Sequence, residues 1–248
     1  MEDGTGPFQM WGAVVYQVNE TIRFPPNQGY RFDTGAITLN INTGSQPGVV
    51  IDSCMMVDLA IRGQLVYHGS GVALDFNPTN LLPPDTFVGD VIVDSSFHIT
   101  TVVPTSTSAT AIRFNGPVVH STFFFNEINA GNRGIDVTGN FALNRLMCKH
   151  LHAQAGANSY GVRVTGGGFG KNYWELNINA DTGLGMTTGV ETSASNDFWM
   201  LNIGRSNGSI STGVRLNSSV RNTRFFILSN DANTPVVDNA NSASNSFY

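Results

Sequence analysis

One short segment returns along this chain, and a sequence that repeats at intervals of a few tens of residues folds as a stack of like units. Its copies are Ala111-Ile112-Arg113-Phe114-Asn115, Gly134-Ile135-Asp136-Val137-Thr138, Gly161-Val162-Arg163-Val164-Thr165, Gly189-Val190-Glu191-Thr192-Ser193, Gly213-Val214-Arg215-Leu216-Asn217 and Pro235-Val236-Val237-Asp238-Asn239. From Ile112 through Ile135, Val162, Val190 and Val214 to Val236 the steps are 23, 27, 28, 24 and 22 residues. An earlier copy, Gly71-Val72-Ala73-Leu74-Asp75-Phe76, lies 40 residues upstream when Val72 is matched with Ile112. The surplus falls in the Pro-rich stretch from Asn77 to Asp90, which is expected to protrude as a loop.

A second strand follows each first one after a short turn, opening on Asn and then a large side chain: Asn144-Arg145-Leu146, Asn172-Tyr173-Trp174, Asn196-Asp197-Phe198, Asn222-Thr223-Arg224-Phe225 and Asn245-Ser246-Phe247. Asparagine suits a left-handed turn, and stacked amides can hydrogen-bond along a ladder. A β-sandwich would explain the density of strands but not the return to the same residue classes. The expected fold is all-β: a single-stranded, right-handed parallel β-helix with rungs of roughly 22 to 28 residues. It forms one domain over residues 1–248, with 1–48 as its N-terminal entry region.

Stacking has a consequence for charge, because outward residues on neighbouring rungs meet about 4.8 Å apart. The column beside the core Ile and Val reads Arg113, Asp136, Arg163, Glu191, Arg215, with the sign alternating at every step. Opposed unlike charges contribute about 0.2 to 1 kcal/mol per pair, so a structural ladder is the expected role. The next column, Asp75, Asn115, Thr138, Thr165, Ser193 and Asn217, is polar throughout and is expected to face solvent. On the second strand, Phe124, Met147, Glu175, Trp199 and Phe226 are expected to point outward, against inward Phe123, Leu146, Trp174, Phe198 and Phe225. An outward apolar column marks an interface with another chain or a set of platforms for sugar rings.

Composition narrows the partners. Only 12% of residues are charged while 41% are hydrophobic, and the net charge of −5 with no Lys/Arg run offers nothing to a phosphate backbone, so nucleic acid is not expected. No apolar run approaches the ~18 residues of a membrane span, and the first residues lack a basic segment followed by an apolar one, so membrane insertion is not expected either. Cys54 and Cys148 sit in strand-like apolar surroundings and are expected to be reduced core residues; no metal-ligand spacing is present, and no cofactor is expected.

The rung pattern resembles the pectate-lyase-like β-helix superfamily, and within it the trimeric tailspikes and tail fibres of bacteriophages. Glu20-Thr21-Ile22-Arg23-Phe24-Pro25-Pro26-Asn27-Gln28-Gly29-Tyr30-Arg31-Phe32 is similar to the strand, Pro-x-Gly turn and Tyr-containing strand that open many such helices. The amphipathic capping helix and the Asp-Gly-x-Thr-Asp-Asp entry motif of that superfamily are missing, with Asp3-Gly4-Thr5 at best a remnant. The resemblance implies a homotrimer, a place in a virion tail or outside the cell, and a bacterial surface glycan as partner. It also implies a segment of a larger spike, or a subunit capped by its neighbours.

Catalysis has one candidate cluster. Val49-Val50-Ile51-Asp52-Ser53-Cys54 matches Val91-Ile92-Val93-Asp94-Ser95-Ser96, with Val118-Val119-His120-Ser121-Thr122 one rung later, so Asp52, Asp94 and His120 are expected to stack. Carboxylates one rung apart would approach the ~5 to 5.5 Å separation of retaining glycosidases, with His120 as a proton carrier. The same three residues also suit a structural column of turn residues shared with Asn144, Asn172, Asn196, Asn222 and Asn245. Lys149, His150 and His152 offer a weaker set for a lyase. The expected function is receptor binding to a bacterial polysaccharide, with a depolymerase acting as hydrolase or lyase, and a purely architectural virion or surface protein, as the alternatives.

Overall fold

The computed structural model describes residues 8–9, 14–78, 90–153, 159–166, 170–180, 185–205 and 208–248. Its strands pair in parallel and fall into three sheets of 12, 9 and 5 strands, which the chain visits in turn to make a β-solenoid of about eight turns. One rung shows the plan: Thr110–Phe114 lies in the nine-stranded sheet, Val118–Val119 in the five-stranded sheet and Thr122–Ala130 in the twelve-stranded sheet, before Arg133–Val137 begins the next. The entry segment already follows it, since Ile22–Phe24, Asn27–Gln28 and Arg31–Asp33 place a strand in each sheet. The loop expected from Asn77 to Asp90 lies, over 79–89, outside the described residues.

Parallel pairing in register makes each rung repeat the one before. Ile112, Ile135, Val162, Val190 and Val214 are successive partners and fully buried, so the expected core column is formed. It extends back to Leu74, not Val72, which sets the upstream step at 38 residues and moves that copy by two positions. Just before each core residue the strand carries a small residue: Ala73, Ala111, Gly134, Gly161, Gly189 and Gly213. A Cβ on Gly161 would stand 2.6 Å from the Gly189 carbonyl oxygen, and one on Gly189 2.7 Å from that of Gly213, so close approach of successive backbones explains the glycine that heads the repeat.

A left-handed corner follows the short strands of the five-stranded sheet and recurs in the later rungs. Gly29, Met56, Asp94, His120, Leu143, Lys171, Asn196 and Asn222 all have φ between 48° and 63° there, and registers and backbone bonds place them in one column. The residue after each corner belongs to a different, buried column, Ser95, Ser121, Asn144, Asn172, Asp197 and Thr223, which half-buried Asn245 continues at the end of the chain described. Its backbone N–H groups are met by side-chain oxygens of the following rung. Ser95 N donates to Ser121 Oγ (3.2 Å), Ser121 N to Asn144 Oδ1 (2.8 Å), Asn144 N to Asn172 Oδ1 (3.0 Å) and Asn172 N to Asp197 Oδ1 (3.0 Å). The amide donors reach backbone carbonyls, Asn144 Nδ2 to Val118 O and Asn172 Nδ2 to Phe141 O, so the corner leaves these polar groups satisfied inside the core. The single asparagine column expected from the sequence is thus two columns: Asn196 and Asn222 stand at the left-handed corner, one position before Asn144, Asn172 and Asn245.

The charge ladder is present and longer than expected. Asp75 pairs in register with Arg113, so the column runs Asp75, Arg113, Asp136, Arg163, Glu191, Arg215, and the polar column beside it begins at Asn77 instead of Asp75. The ladder's carboxylates are buried, with Asp75, Asp136 and Glu191 0%, 2% and 8% exposed, while Asn115, Thr138 and Thr165 of the polar column beside it are exposed, as expected. Arg113 grips Asp75 through both ends of its fork, Nε to Oδ1 at 2.9 Å and Nη2 to Oδ2 at 2.6 Å, and that bond holds the guanidinium above its ordinary range. Glu191 is shared between Arg163 (3.4 Å) and Arg215 (3.6 Å), while Asp136 takes its ion pair from Arg133 on its own strand at 2.5 Å. Removing one member of a buried pair strands a charge, whereas removing both does not. Arg113→Met alone is therefore expected to cost about 3 kcal/mol in denaturant unfolding, and Asp75→Leu added to it to restore most of the loss. A double variant no more stable than the single one would contradict the pairing.

Candidate functional site

The candidate site lies on the outer face of the twelve-stranded sheet. Its strands are long enough that three side chains of each point outward, and register turns them into columns. In the first, Arg145, Tyr173, Phe198 and Arg224 are successive partners. The second runs His98, Phe124, Met147, Glu175, Met200 and Phe226. The third holds Asn177, Asn202 and Ser229, with Asn202 Nδ2 donating to Asn177 Oδ1 at 3.3 Å and the Ser229 hydroxyl donating to Asn202 Oδ1.

Two features stand out on this face. One is an open groove of about 400 Å³ lined by Met147, Glu175, Met200, Phe124, Lys149, His150, Asn177, Asn202 and Leu228 among others. The other is a diagonal strip of rings: Tyr173 on Phe198 (centroids 5.4 Å apart, planes 7°), Phe198 on Phe226 (6.0 Å, 29°) and Phe226 on Tyr248 (5.1 Å, 25°). Phe226 and Leu228 are 43% and 70% exposed, so apolar surface and hydrogen-bonding groups lie side by side in the open.

Phe124, Met147 and Phe226 therefore stand outward in one column, as expected, but Trp199 does not. Its partners are Trp174 and Phe225, it is fully buried, and its indole lies flat on that of Trp174 at 4.5 Å and 2°. Met200 takes its place in that column, and Phe198, expected inward, points outward in the column beside it. The physical reason is the corner: Asn196 occupies it, Asp197 fills the buried place of Asn172, and the strand after it is displaced by one residue, which inverts every side chain. Tyr173 and Tyr248 were missed by the sequence reading. A search for aromatics at the first outward position as well as the second would have found Tyr173.

The expected acid cluster separates. Cys54 pairs with Ile92 and Met55 with Val93, so Met56, not Asp52, is the counterpart of Asp94. Asp52 is buried at the opposite end of that short strand, its Oδ1 accepting from Ser53 N at 2.8 Å. The pair of carboxylates one rung apart is not formed. Asp94 and His120 do stack, with Oδ1 and Nδ1 3.6 Å apart, but both are more than half exposed on a turning corner. Lys149 and His150 open onto the groove, and His150 stacks on His152 with centroids 5.9 Å apart. Cys54 and Cys148 are buried thiols, each pushed up to about 12 by burial. Among the described residues no group of His, Cys, Asp and Glu has the arrangement to hold a metal ion.

One buried acid had no signal in the sequence. Asp197 Oδ1 accepts from Asn172 N and Nδ2, each at 3.0 Å, and Oδ2 accepts from Trp174 Nε1 at 3.0 Å. An asparagine could not receive all three donors, which explains the carboxylate in an Asn/Ser column. Trp199 one rung on has Thr223 in the corresponding place, and its Nε1 makes no hydrogen bond with any described residue. No family model, curated protein or solved structure matches this chain.

Burial raises Asp197 from 3.8 to about 6, against the lowering effect of its donors. Folding thus favours the protonated form. The stabilising contribution is fully present below the unfolded value of 3.8 and is lost as pH climbs through about 6. Relative to Asp197→Asn, which does not titrate, the unmodified protein is expected to lose on the order of 2–3 kcal/mol of unfolding free energy between pH 4 and pH 7. A relative gain over that interval would contradict this assignment.

Proposed function

We propose that the chain is a polysaccharide-binding β-solenoid, part of a homotrimeric bacteriophage or prophage tailspike or fibre that meets a bacterial surface glycan. The observation that carries the reading is the strip Tyr173, Phe198, Phe226, Tyr248 running beside the Asn177, Asn202, Ser229 column. A glycan presents apolar ring faces flanked by hydroxyls, and rows of rings beside rows of amides repeat those two requirements along one face. The solenoid supplies the length a polymer needs, because the rung spacing carries equivalent groups along the axis. The resemblance to tailspikes supplies the virion setting and the threefold symmetry.

A second reading, contact between copies of the chain, is favoured by the exposure of Phe226 and Leu228. The two are separated by one experiment on a Phe198→Ala, Phe226→Ala variant. The polysaccharide reading expects loss of retention on immobilised capsular polysaccharide or lipopolysaccharide, about tenfold or more for two stacking platforms, at unchanged mass in light scattering. A fall in mass toward one 26.6 kDa chain with retention intact per chain would replace it by the interface reading.

A further inference from the structure

We infer that copies of this chain meet along the edge formed by the outer side of the five-stranded sheet and the left-handed corner beside it, which leaves the groove-bearing face of the twelve-stranded sheet open. The inference rests on the trimeric part of the reading above and names the surface that builds it. The strands concerned are two residues long, so the solenoid presents here a blunt edge about 7 Å wide instead of a broad wall. Their first residues, Cys54, Ile92, Val118 and Phe141, are buried in the core, and their second, Met55, Val93, Val119 and Ala142, are register partners that point the other way. An aliphatic strip four rungs long thus lies on the outside, with Met55, Val93 and Val119 only half-buried.

The corner beside the strip carries a second sign. Met56 (φ 54°) and Leu143 (φ 59°) hold left-handed backbone, where glycine, as at Gly29, or asparagine, as at Asn196 and Asn222, is the less strained choice. Both also lie open to solvent, Met56 54% and Leu143 44% exposed. An apolar side chain in such a place strains the backbone and gains little burial within its own chain, and strain that the fold does not use points to a contact beyond it. Asp94 and His120 stand between the two in the column, 3.6 Å apart, so the carboxylate there has its partner in the same chain.

Charge identifies the occupant as a second copy. Around a threefold axis parallel to the solenoid, a residue near the axis meets its own copy at the same height, so the edge placed there must be compatible with itself. The outer face of the nine-stranded sheet carries the ladder of Arg with Asp and Glu, and that of the twelve-stranded sheet carries Arg145, Glu175 and Arg224, each of which would meet like charge. Met55, Val93, Val119 and Ala142 meet their own copies without that penalty, and Met56 and Leu143 on the flank fill the space between neighbouring edges.

Two kinds of variant of the full chain test this. Met56→Asn with Leu143→Asn puts at both corners a residue suited to the backbone, so the circular dichroism of the fold is expected to survive while the mass in light scattering falls from about three chains toward the 26.6 kDa of one. Under mild oxidation Val119→Cys is expected to give a covalent dimer on a non-reducing gel, because copies of one residue around the axis come within disulfide reach, whereas Phe226→Cys stays uncross-linked. Cys54 and Cys148 are buried and do not compete, and the cross-link decides the matter even where the double variant misfolds. An unchanged three-chain mass in a folded double variant, or cross-linking through Phe226→Cys and not through Val119→Cys, would overturn the inference and leave a trimer built through another face. A one-chain mass for the unmodified protein would overturn the trimeric reading as well.

Discussion

Every part of this molecule obeys one constraint: in parallel, in-register stacking each residue meets its own counterpart about 4.8 Å above and below. A column must then be compatible with itself, and side chains divide by how they meet that condition. Aliphatic and aromatic residues do so by packing, as in the flat stack of Trp174 on Trp199. Charges do so only by alternating, which the ladder from Asp75 to Arg215 achieves while burying its carboxylates. Backbone N–H groups freed at the corner are met by Ser, Asn and Asp oxygens from the next rung. Glycine serves where consecutive backbones come too close for a Cβ, as at Gly161 and Gly189.

Because columns are self-similar, most of the architecture is legible in the residues. The repeat of Ile112, Ile135, Val162, Val190 and Val214 locates the core, and the alternation of Arg113, Asp136, Arg163, Glu191 and Arg215 locates the face beside it. The same redundancy hides one-residue shifts. Two polar columns run side by side at the left-handed corner and both accept asparagine, one for its tolerance of positive φ and one for its amide. Aligning Asn196 with Asn172 instead of with Lys171 exchanged Phe198 and Trp199 between core and surface. The Gly71–Phe76 copy slipped by two for a similar reason: Val72 and Leu74 are both apolar and both buried, and only the sign of Asp75 against Arg113 tells them apart. Asp52 fell out of the proposed acid column because Val-rich triplets recur in two different sheets.

The outer face of the twelve-stranded sheet is where self-compatibility loosens. Its middle column mixes His98, Phe124, Met147, Glu175, Met200 and Phe226, so neither charge alternation nor uniform packing accounts for it. A solenoid that satisfies its internal columns so consistently and leaves rings and amides together on one open face has put there what its own stability does not require. That contrast between disciplined inner columns and a heterogeneous outer one is what the proposal of glycan binding on this sheet rests on.

The register of the long strands decides what that face contains, and tryptophan fluorescence reads it directly. The chain has three tryptophans, Trp11, Trp174 and Trp199, and a Trp11→Phe variant retains only the two that are fully buried. Their emission is expected to be blue-shifted and unaffected by iodide at concentrations that quench a free indole, with an exciton signal in circular dichroism from rings stacked 4.5 Å apart. Red-shifted emission with an iodide-accessible component and no exciton signal would place Trp199 on the surface and contradict the register.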